Sequence, residues 1–281
     1  MLERRLSVAA ATPVAADRPA LLLIAHGSRD PRHAATVAAL AEEVRALRPG
    51  LELATAYLDH CAPRIPQVAG RLGAHAVAVP LLLNRAFHAK HDIPAALRAA
   101  GTELPVADVL GPVRPLVADA ARAAGPLPGP SPLLLAALDR RLAEAGLAAA
   151  SPGVRARTGV VLAAAGSSDP AADAATRALA AEWRRTRGWA AVEVAYASAT
   201  GPRVPDAVAA LRAAGADRVA VAPYLLAPGL LPDRIADAAA EAEADVLAGV
   251  LGAAPEIARL LLTRFDAALL ATVERAPALT A

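Results

Sequence analysis

Two histidines stand where short apolar runs end, in positions suited to metal or proton chemistry. His26 follows the run LLLIA (21–25), and His88 comes soon after PLLL (80–83). A neutral imidazole can bind a divalent transition metal such as Fe²⁺, Co²⁺, Ni²⁺ or Zn²⁺, or accept a proton near pH 7. Each histidine could instead satisfy a backbone carbonyl at a strand end. The shared placement favours a candidate site for a metal ion or a proton.

The sequence contains an internal repeat. The segment LLLIAHGSRDP (21–31) recurs as VVLAAAGSSDP (160–170). Gly27 and Tyr57 recur at one common offset as Gly166 and Tyr196. A period this long, with matching landmarks, indicates two homologous halves.

The histidines are confined to one half of the repeat. All six lie between positions 26 and 91. Ala165 stands where the first half has His26, and Leu230 or Leu231 is nearest to the position of His88. This asymmetry indicates that the second half keeps the scaffold and lacks the site.

Each half alternates apolar runs with segments of helical periodicity. Asp30 followed by Pro31 predicts the start of a helix, and PRHAATVAALAEEVRAL continues it. In the first half we predict strands at 21–25, 51–58, 76–83 and 106–110, with further helices starting near 66 and 92. Continuous apolar strands alternating with helices predict an α/β fold with a parallel sheet covered on both faces. In such sheets the first and third strands commonly flank the ligand crevice, which would bring His26 and His88 face to face.

We predict four segments in the chain. They are a disordered tail (1–18), an N-terminal domain with the site (19–147), a linker (148–158) and a C-terminal domain without site histidines (159–275).

Composition excludes several classes of function. The 281 residues are 56% hydrophobic, which is enough for a large core. The net charge is +2 and no basic stripe with interleaved aromatic residues is present, so a nucleic-acid partner is not expected. One cysteine, Cys61, suits a reducing cytoplasm, and no apolar run reaches the roughly 18 residues of a membrane span. We expect a cytoplasmic protein without a membrane partner.

Two motifs resemble those of a known enzyme family. IAHGSRDPR (24–32) and FHAKHDIPAAL (87–97), with YLDHCAPRIP (57–66) between them, are similar to motifs of the class II tetrapyrrole chelatases. These are the sirohydrochlorin cobaltochelatases and ferrochelatases of the CbiX and SirB type. The resemblance runs from about residue 20 to about residue 270 and includes the duplication, as in the long form of the family. It implies two tandem chelatase-like domains, each a small parallel sheet flanked by helices.

The resemblance also implies an activity and a set of site residues. His26 and His88 would bind the metal and take up the pyrrole protons of the macrocycle. The substrates would be a polycarboxylate tetrapyrrole and a divalent metal (Fe²⁺, Co²⁺ or Ni²⁺), with no tightly bound cofactor. The residues expected to contact the tetrapyrrole are Ser28, Asp59, Leu83, Asn84, Arg85, Ala86 and Phe87. A basic rim of Arg29, Arg64, Arg85 and Lys90 would attract its carboxylates, and the fused halves are compatible with a monomer.

Three positions depart from the family pattern. Ala25 replaces a glycine, Asp59 stands where the family has a longer acid, and Ala62 occupies an acidic position before Pro63. Because this carboxylate is missing, a second interpretation is that the protein is a non-catalytic carrier of tetrapyrrole or metal on the same scaffold.

Two other functions remain open. A phosphate- or nucleotide-binding protein could use the Gly-Ser turns, although no glycine fingerprint is present. A hydrolase could use one of the histidines, although no nucleophile is placed. Of the remaining histidines, we expect His33 and His75 to be solvated.

Overall fold

A computed structural model describes residues 19–72, 76–84, 91–112, 131–147, 152–198 and 201–275. The predicted tail, His75, the segment 85–90 and part of the predicted linker lie outside this set. Within the described residues, no helix is long and apolar enough to span a membrane.

The first half forms a three-stranded parallel sheet. Its elements in chain order are β1 (Ala20–Ala25), α1 (Pro31–Leu47), β2 (Glu52–Tyr57), α2 (Ile65–Ala69), β3 (Val77–Pro80), α3 (Ile93–Ala99) and α4 (Pro132–Glu144). The strand order is β2-β1-β3, and Leu23 pairs with Thr55 on one side and Val79 on the other. The chain passes from β1 to β2 on one side and then crosses to β3 on the other side of β1, which makes the β1/β3 crevice the switch point of the sheet.

The second half repeats this arrangement with four strands. Its elements are α5 (Pro152–Arg155), β4 (Thr158–Ala164), α6 (Pro170–Arg187), β5 (Ala191–Tyr196), α7 (Val204–Ala213), β6 (Arg218–Tyr224), α8 (Leu230–Glu241), β7 (Val246–Leu247) and α9 (Pro255–Arg275). The strand order is β5-β4-β6-β7, and all pairs are parallel. The fold prediction of two tandem α/β units with parallel sheets is confirmed.

Local signals explain the helix starts. The Asp30 carboxylate accepts a hydrogen bond from the Arg32 amide at 2.8 Å, and Pro31 begins α1. Asp169 caps α6 in the same way, with Ala171 as the donor at 2.9 Å. Both caps satisfy a backbone N–H that the helix leaves unpaired.

The strand predicted at 106–110 is reduced to one bridge, between Val106 and Ala78. The Ala107 amide donates to Ala78 and the Ala248 amide donates to the matching residue Val221, so Pro105 occupies the position that Val246 has at the start of β7. Proline has no amide hydrogen to donate, and Pro105 precedes Val106. The fourth strand of the first half therefore loses the hydrogen bond that would extend it.

The last helix of each half packs on the sheet of the other half. The helix α9 contacts β3 and α1, and α4 contacts β6. Arg48, which directly follows α1, binds Asp266 of α9 through two hydrogen bonds of 2.6 and 2.8 Å. Trp183 of α6 donates to Asp139 of α4 at 2.9 Å. The exchanged helices lie between the sheets and join the two halves.

One central cluster shared by both halves results from this exchange. On β1, alternate residues such as Leu23 contribute to a cluster that also contains Leu162 and Phe265 of the second half. Leu22 and Ile24 point to the opposite face, into a separate cluster under α2 and α3. Because both faces of the strand are buried, its residues are apolar without alternation.

Candidate active site

A tight turn places His26 at the carboxyl end of β1. Gly27 has a φ of +91°, and a Cβ there would lie 1.7 Å from the carbonyl oxygen of Asp59. Only glycine allows this close approach of two backbones. The Asp59 amide donates to the His26 carbonyl at 2.8 Å, which joins the end of β1 to the loop after β2.

Cys61 supports the same turn. Its Sγ accepts a hydrogen bond from the Ser28 amide at 3.5 Å and donates one to the Ser28 carbonyl at 3.1 Å. The Ser28 hydroxyl in turn accepts from the Asp30 amide at 3.1 Å. This role of Cys61 is not apparent from the sequence, because the partners are 33 residues apart.

The half-buried His26 ring lies near a second histidine. Its Nδ1 is 3.0 Å from the Gly27 carbonyl oxygen. His33, in the first turn of α1, has a lowered pKa because of burial and, to a lesser degree, the neighbouring His26. The His33 Nδ1 is buried and has no hydrogen-bond partner in the described chain, and its ring centroid is 6.3 Å from that of Tyr57. His33 is half-buried rather than fully solvated, because its ring lies near that of Tyr57.

A cavity of about 720 Å³ opens between the carboxyl ends of the two sheets. Its walls are mainly apolar, with a few polar groups. The described lining residues are His26, Leu81, Leu82, Leu83, Asn84 and His91 from the first half, and Ala164, Ala165, Gly166, Ser167, Ser168, Asp169, Tyr224, Leu225, Leu226 and Leu231 from the second. A volume of this order holds an organic ligand of moderate size.

Two contacts fix the segment after β3 against the second half. The Tyr224 hydroxyl donates to the Leu83 carbonyl at 3.4 Å, and burial raises the pKa of this tyrosine. The Asn84 side-chain nitrogen lies 3.5 Å from the Thr176 hydroxyl. The Asn84 Oδ1 atom is buried without a partner in the part of the chain that the structure describes.

The site therefore combines a half-buried imidazole with an apolar slot shared by two homologous halves. Comparison with protein families identifies the family of this chain. The CbiX family profile matches residues 20–145 and again 159–268. The chain belongs to the CbiX family.

Solved structures share the fold of this CbiX-family chain. SirB from Bacillus subtilis with Fe³⁺ is 21% identical, with a TM-score of 0.74, over 92% of this chain and 98% of that one. SirB from Bacillus subtilis subspecies spizizenii in complex with cobalt has the same identity and coverage, with a TM-score of 0.70. CbiX described as the terminal enzyme of sirohaem biosynthesis in denitrifying bacteria is 21% identical, with a TM-score of 0.62, over 88% of this chain and 98% of that one. No curated protein matches the chain.

The structure brings together some of the predicted site residues of the CbiX-family chain. His26, Leu83 and Asn84 line the cavity. Ser28 lies in the adjoining turn. Its hydroxyl is close to Gly229 of the second half, 4.0 Å from where a Cβ at that residue would lie. His88, Arg85, Ala86, Phe87 and Lys90 fall outside the described residues, so their roles stay predictions.

Asp59 and Arg64 lie beside the cavity rather than among the described residues that line it. The exposed Asp59 carboxylate binds Arg64 at 2.9 Å and lies 3.5 Å from His60. The His60 backbone amide and the Arg64 guanidinium lower the pKa of Asp59. Arg64 also donates to the Leu58 carbonyl at 2.5 Å, and Arg29 of the predicted rim is exposed.

The second half matches the asymmetry inferred from the sequence. Ala165 and Leu231 line the cavity at positions related to His26 and His88. Sequence reasoning missed the contributions of Tyr224 and Asp169, because neither lies in a histidine motif. The internal repeat was the one sequence feature that pointed to Asp169, because this residue aligns with Asp30.

Proposed function

We propose that this protein is a metal chelatase that inserts Fe²⁺ or Co²⁺ into sirohydrochlorin, in the biosynthesis of sirohaem or cobalamin. The observation that carries the proposal is the position of His26, at the wall of an apolar cavity shared by both halves of a CbiX-family chain. The SirB structures with Fe³⁺ and with cobalt support a transition metal as the second substrate.

The apolar walls suit a flat macrocycle. Leu83 and Leu226, from opposite halves, contribute to them, and their burial against tetrapyrrole carbon would favour binding. Asn84, which also lines the cavity, would contact the substrate. Ser28, Asp59 and the segment Arg85, Ala86 and Phe87 would complete the contacts, and basic residues at the rim would attract the carboxylates.

The chemistry requires an exchange of one metal ion for two protons. The macrocycle loses two pyrrole N–H protons, and its four nitrogens bind M²⁺. His26 and His88 would bind the incoming metal weakly enough to release it, and their imidazoles would then accept the protons. Only neutral imidazole performs both roles, because protonation removes the lone pair that binds the metal or accepts a proton.

An anaerobic absorbance assay tests the proposal. Sirohydrochlorin is mixed with Fe²⁺, Co²⁺ or Ni²⁺, and the rate of metal insertion is compared with the uncatalysed rate. We expect acceleration by the wild type and a loss of at least about 100-fold in His26→Ala. His60→Ala, which changes an exposed histidine outside the cavity, should keep the wild-type rate. The circular dichroism spectrum of His26→Ala should be unchanged.

Two outcomes would overturn the assignment. Wild-type insertion rates in His26→Ala would remove His26 from the mechanism. Tight binding of sirohydrochlorin without accelerated insertion would identify a carrier, which is the function that Ala62 favours by leaving out a carboxylate.

A further inference from the structure

An ion pair joins the first turns of two helices from different halves. The Arg32 guanidinium of α1 binds the Asp233 carboxylate of α8 at 2.6 Å. The helix α1 follows the turn that carries His26, and α8 contains the cavity residue Leu231. The pair therefore connects two elements that belong to different halves and that both adjoin the cavity.

The turns that precede these two helices also approach each other. The Ser28 hydroxyl lies 4.0 Å from where a Cβ at Gly229 would lie. The approach of the turns and the ion pair of the helices lie along the same edge of the cavity. We call this edge, defined by Ser28, Arg32, Gly229 and Asp233, the α1/α8 edge.

A second aspartate holds Arg32 in place. The Arg32 Nε donates to both carboxylate oxygens of Asp30, at 3.1 and 3.0 Å, and its Nη2 donates to Asp30 and to Asp233 at 2.6 Å each. Arg32 is 53% exposed and Asp233 is 51% exposed, and exposed ion pairs usually contribute little because two flexible side chains must be ordered. Since Asp30 already orders the arginine, the pair with Asp233 costs less side-chain entropy.

The related edge of the cavity, at α6, differs from the α1/α8 edge. The internal repeat places Ala171 where α1 has Arg32, and an alanine side chain cannot form an ion pair. The described lining residues include the whole turn 165–169 before α6, but only His26 from the matching turn 26–30. The cavity thus extends toward α6 and is bounded on the α1 side, where the ion pair lies.

The separation of the two halves sets the width of the cavity. Its walls include His26 from the first half and Leu226 from the second. A flat ligand that touches both walls loses apolar contacts if the halves move apart. His26 would also move away from the ligand, and small errors in distance lower a reaction rate strongly. An ion pair across one edge opposes this movement.

We propose that Arg32 and Asp233 are positioning residues that hold the His26-bearing turn against the second half and so fix the width of the cavity for the tetrapyrrole. Neither residue is among the described residues that line the cavity. The inference rests on the proposed chelatase function and adds to it the contact that keeps the two walls at a working distance.

Steady-state kinetics of Co²⁺ insertion test this role. In Asp233→Ala we expect kcat/KM for sirohydrochlorin to fall about twofold to fivefold, with the KM for Co²⁺ unchanged. Asp217→Ala is the matched control. Asp217 forms an exposed ion pair with Arg157 at the amino end of β6, away from the cavity, so its replacement should change neither constant. The melting temperature of each variant shows that the fold is retained.

A double variant and a salt series separate the ion pair from other effects of the substitutions. Arg32→Ala combined with Asp233→Ala should lose no more activity than Arg32→Ala alone, because the second change removes a partner that is already unpaired. The difference between wild type and Asp233→Ala should shrink toward zero at about 0.5 M NaCl, since salt screens exposed charges.

The outcomes distinguish this proposal from the chelatase assignment. An unchanged kcat/KM for sirohydrochlorin in Asp233→Ala, while His26→Ala is inactive, would overturn the positioning role alone. A loss in the double variant that equals the product of the two single losses would also overturn it, because the residues would then act independently. If the wild type does not accelerate insertion, the proposed function itself fails, and the Kd for metal-free sirohydrochlorin replaces the kinetic test. A Kd raised about twofold to fivefold in Asp233→Ala would then support the role of the pair, and an unchanged Kd would refute it.

Discussion

Gly27 shows how one residue positions the candidate catalytic histidine. The backbone of Asp59 occupies the space that a side chain at Gly27 would need, and the positive φ is unfavourable for other residues. His26 precedes this glycine, and its carbonyl is bound by the Asp59 amide. The position of the imidazole therefore depends on a contact between two loops.

We predict that Gly27→Ala destabilises the protein by about 3 kcal/mol or more, because the new Cβ overlaps a backbone oxygen. Gly50→Ala is the matched control. Gly50 has a φ of +83° and open space around its Cβ position, so the cost should be about 1 kcal/mol of backbone strain. Chemical denaturation of both variants measures the difference, and equal losses would contradict the role of the Asp59 contact.

The exchanged helices α4 and α9 are joined by a partly buried ion pair. Arg140 binds both carboxylate oxygens of Glu256, at 2.8 and 2.6 Å. Glu256 is 10% exposed and its pKa is lowered, mainly by the hydrogen bonds from Arg140. Arg140 is 41% exposed, so solvent weakens the pair.

We predict that Glu256→Gln lowers stability by about 1 kcal/mol at pH 7. Folding lowers the pKa of Glu256, so the unfolded chain binds more protons once the pH falls below the usual value of 4.5. The stabilisation is therefore fully present above pH 4.5 and is lost as the pH falls through the lowered pKa. Thermal unfolding measured from about pH 7 down to about pH 3 tests this expectation. The melting temperatures of the wild type and of Glu256→Gln should converge at the acid end.

Glu144→Gln is the control for this effect. Glu144 forms an exposed pair with Arg141 one turn earlier on α4. Its replacement should change the melting temperature little at any pH. If the difference in melting temperature between wild type and Glu256→Gln stays the same at the acid end, the Arg140 contact is not the source of the stabilisation.

At the scale of the whole molecule, the two homologous halves share a single central core. The cluster that contains Leu23 and Val79 of the first sheet also contains Leu162 of the second and Phe265 of α9. Each sheet is covered on its inner face by a helix from the other half. Each half thus keeps an outer cluster of its own, whereas the central cluster is common to both halves.

We predict that the fragments 19–147 and 152–275 fold poorly in isolation, because each exposes the sheet face that the missing helix covers. Co-expression should restore a soluble heterodimer, detectable by size-exclusion chromatography and by a cooperative unfolding transition. The intact chain is the control. A fragment 19–147 that is soluble alone, with the melting temperature of the intact chain, would refute the importance of the exchange.

The elements themselves could be predicted from local signals. Asp30 and Pro31 predicted the start of α1, and the continuous apolar run at 21–25 predicted β1, because capping and burial on two faces act on nearby residues. The fourth strand of the first half was overestimated, because Pro105 removes a donor that an apolar pattern does not reveal.

By itself, the sequence determined the duplicated α/β fold, the family motifs and the half that carries the histidines. These features reside in residue types and their order along the chain. The tertiary structure decided the exchange of α4 and α9, the support of Ser28 by Cys61 and the meeting of His26 with Asp169 at one cavity. Such contacts join residues far apart in the chain, and their formation depends on how whole elements pack. For the same reason, only the packed molecule shows that the half without histidines contributes Asp169 to the cavity wall.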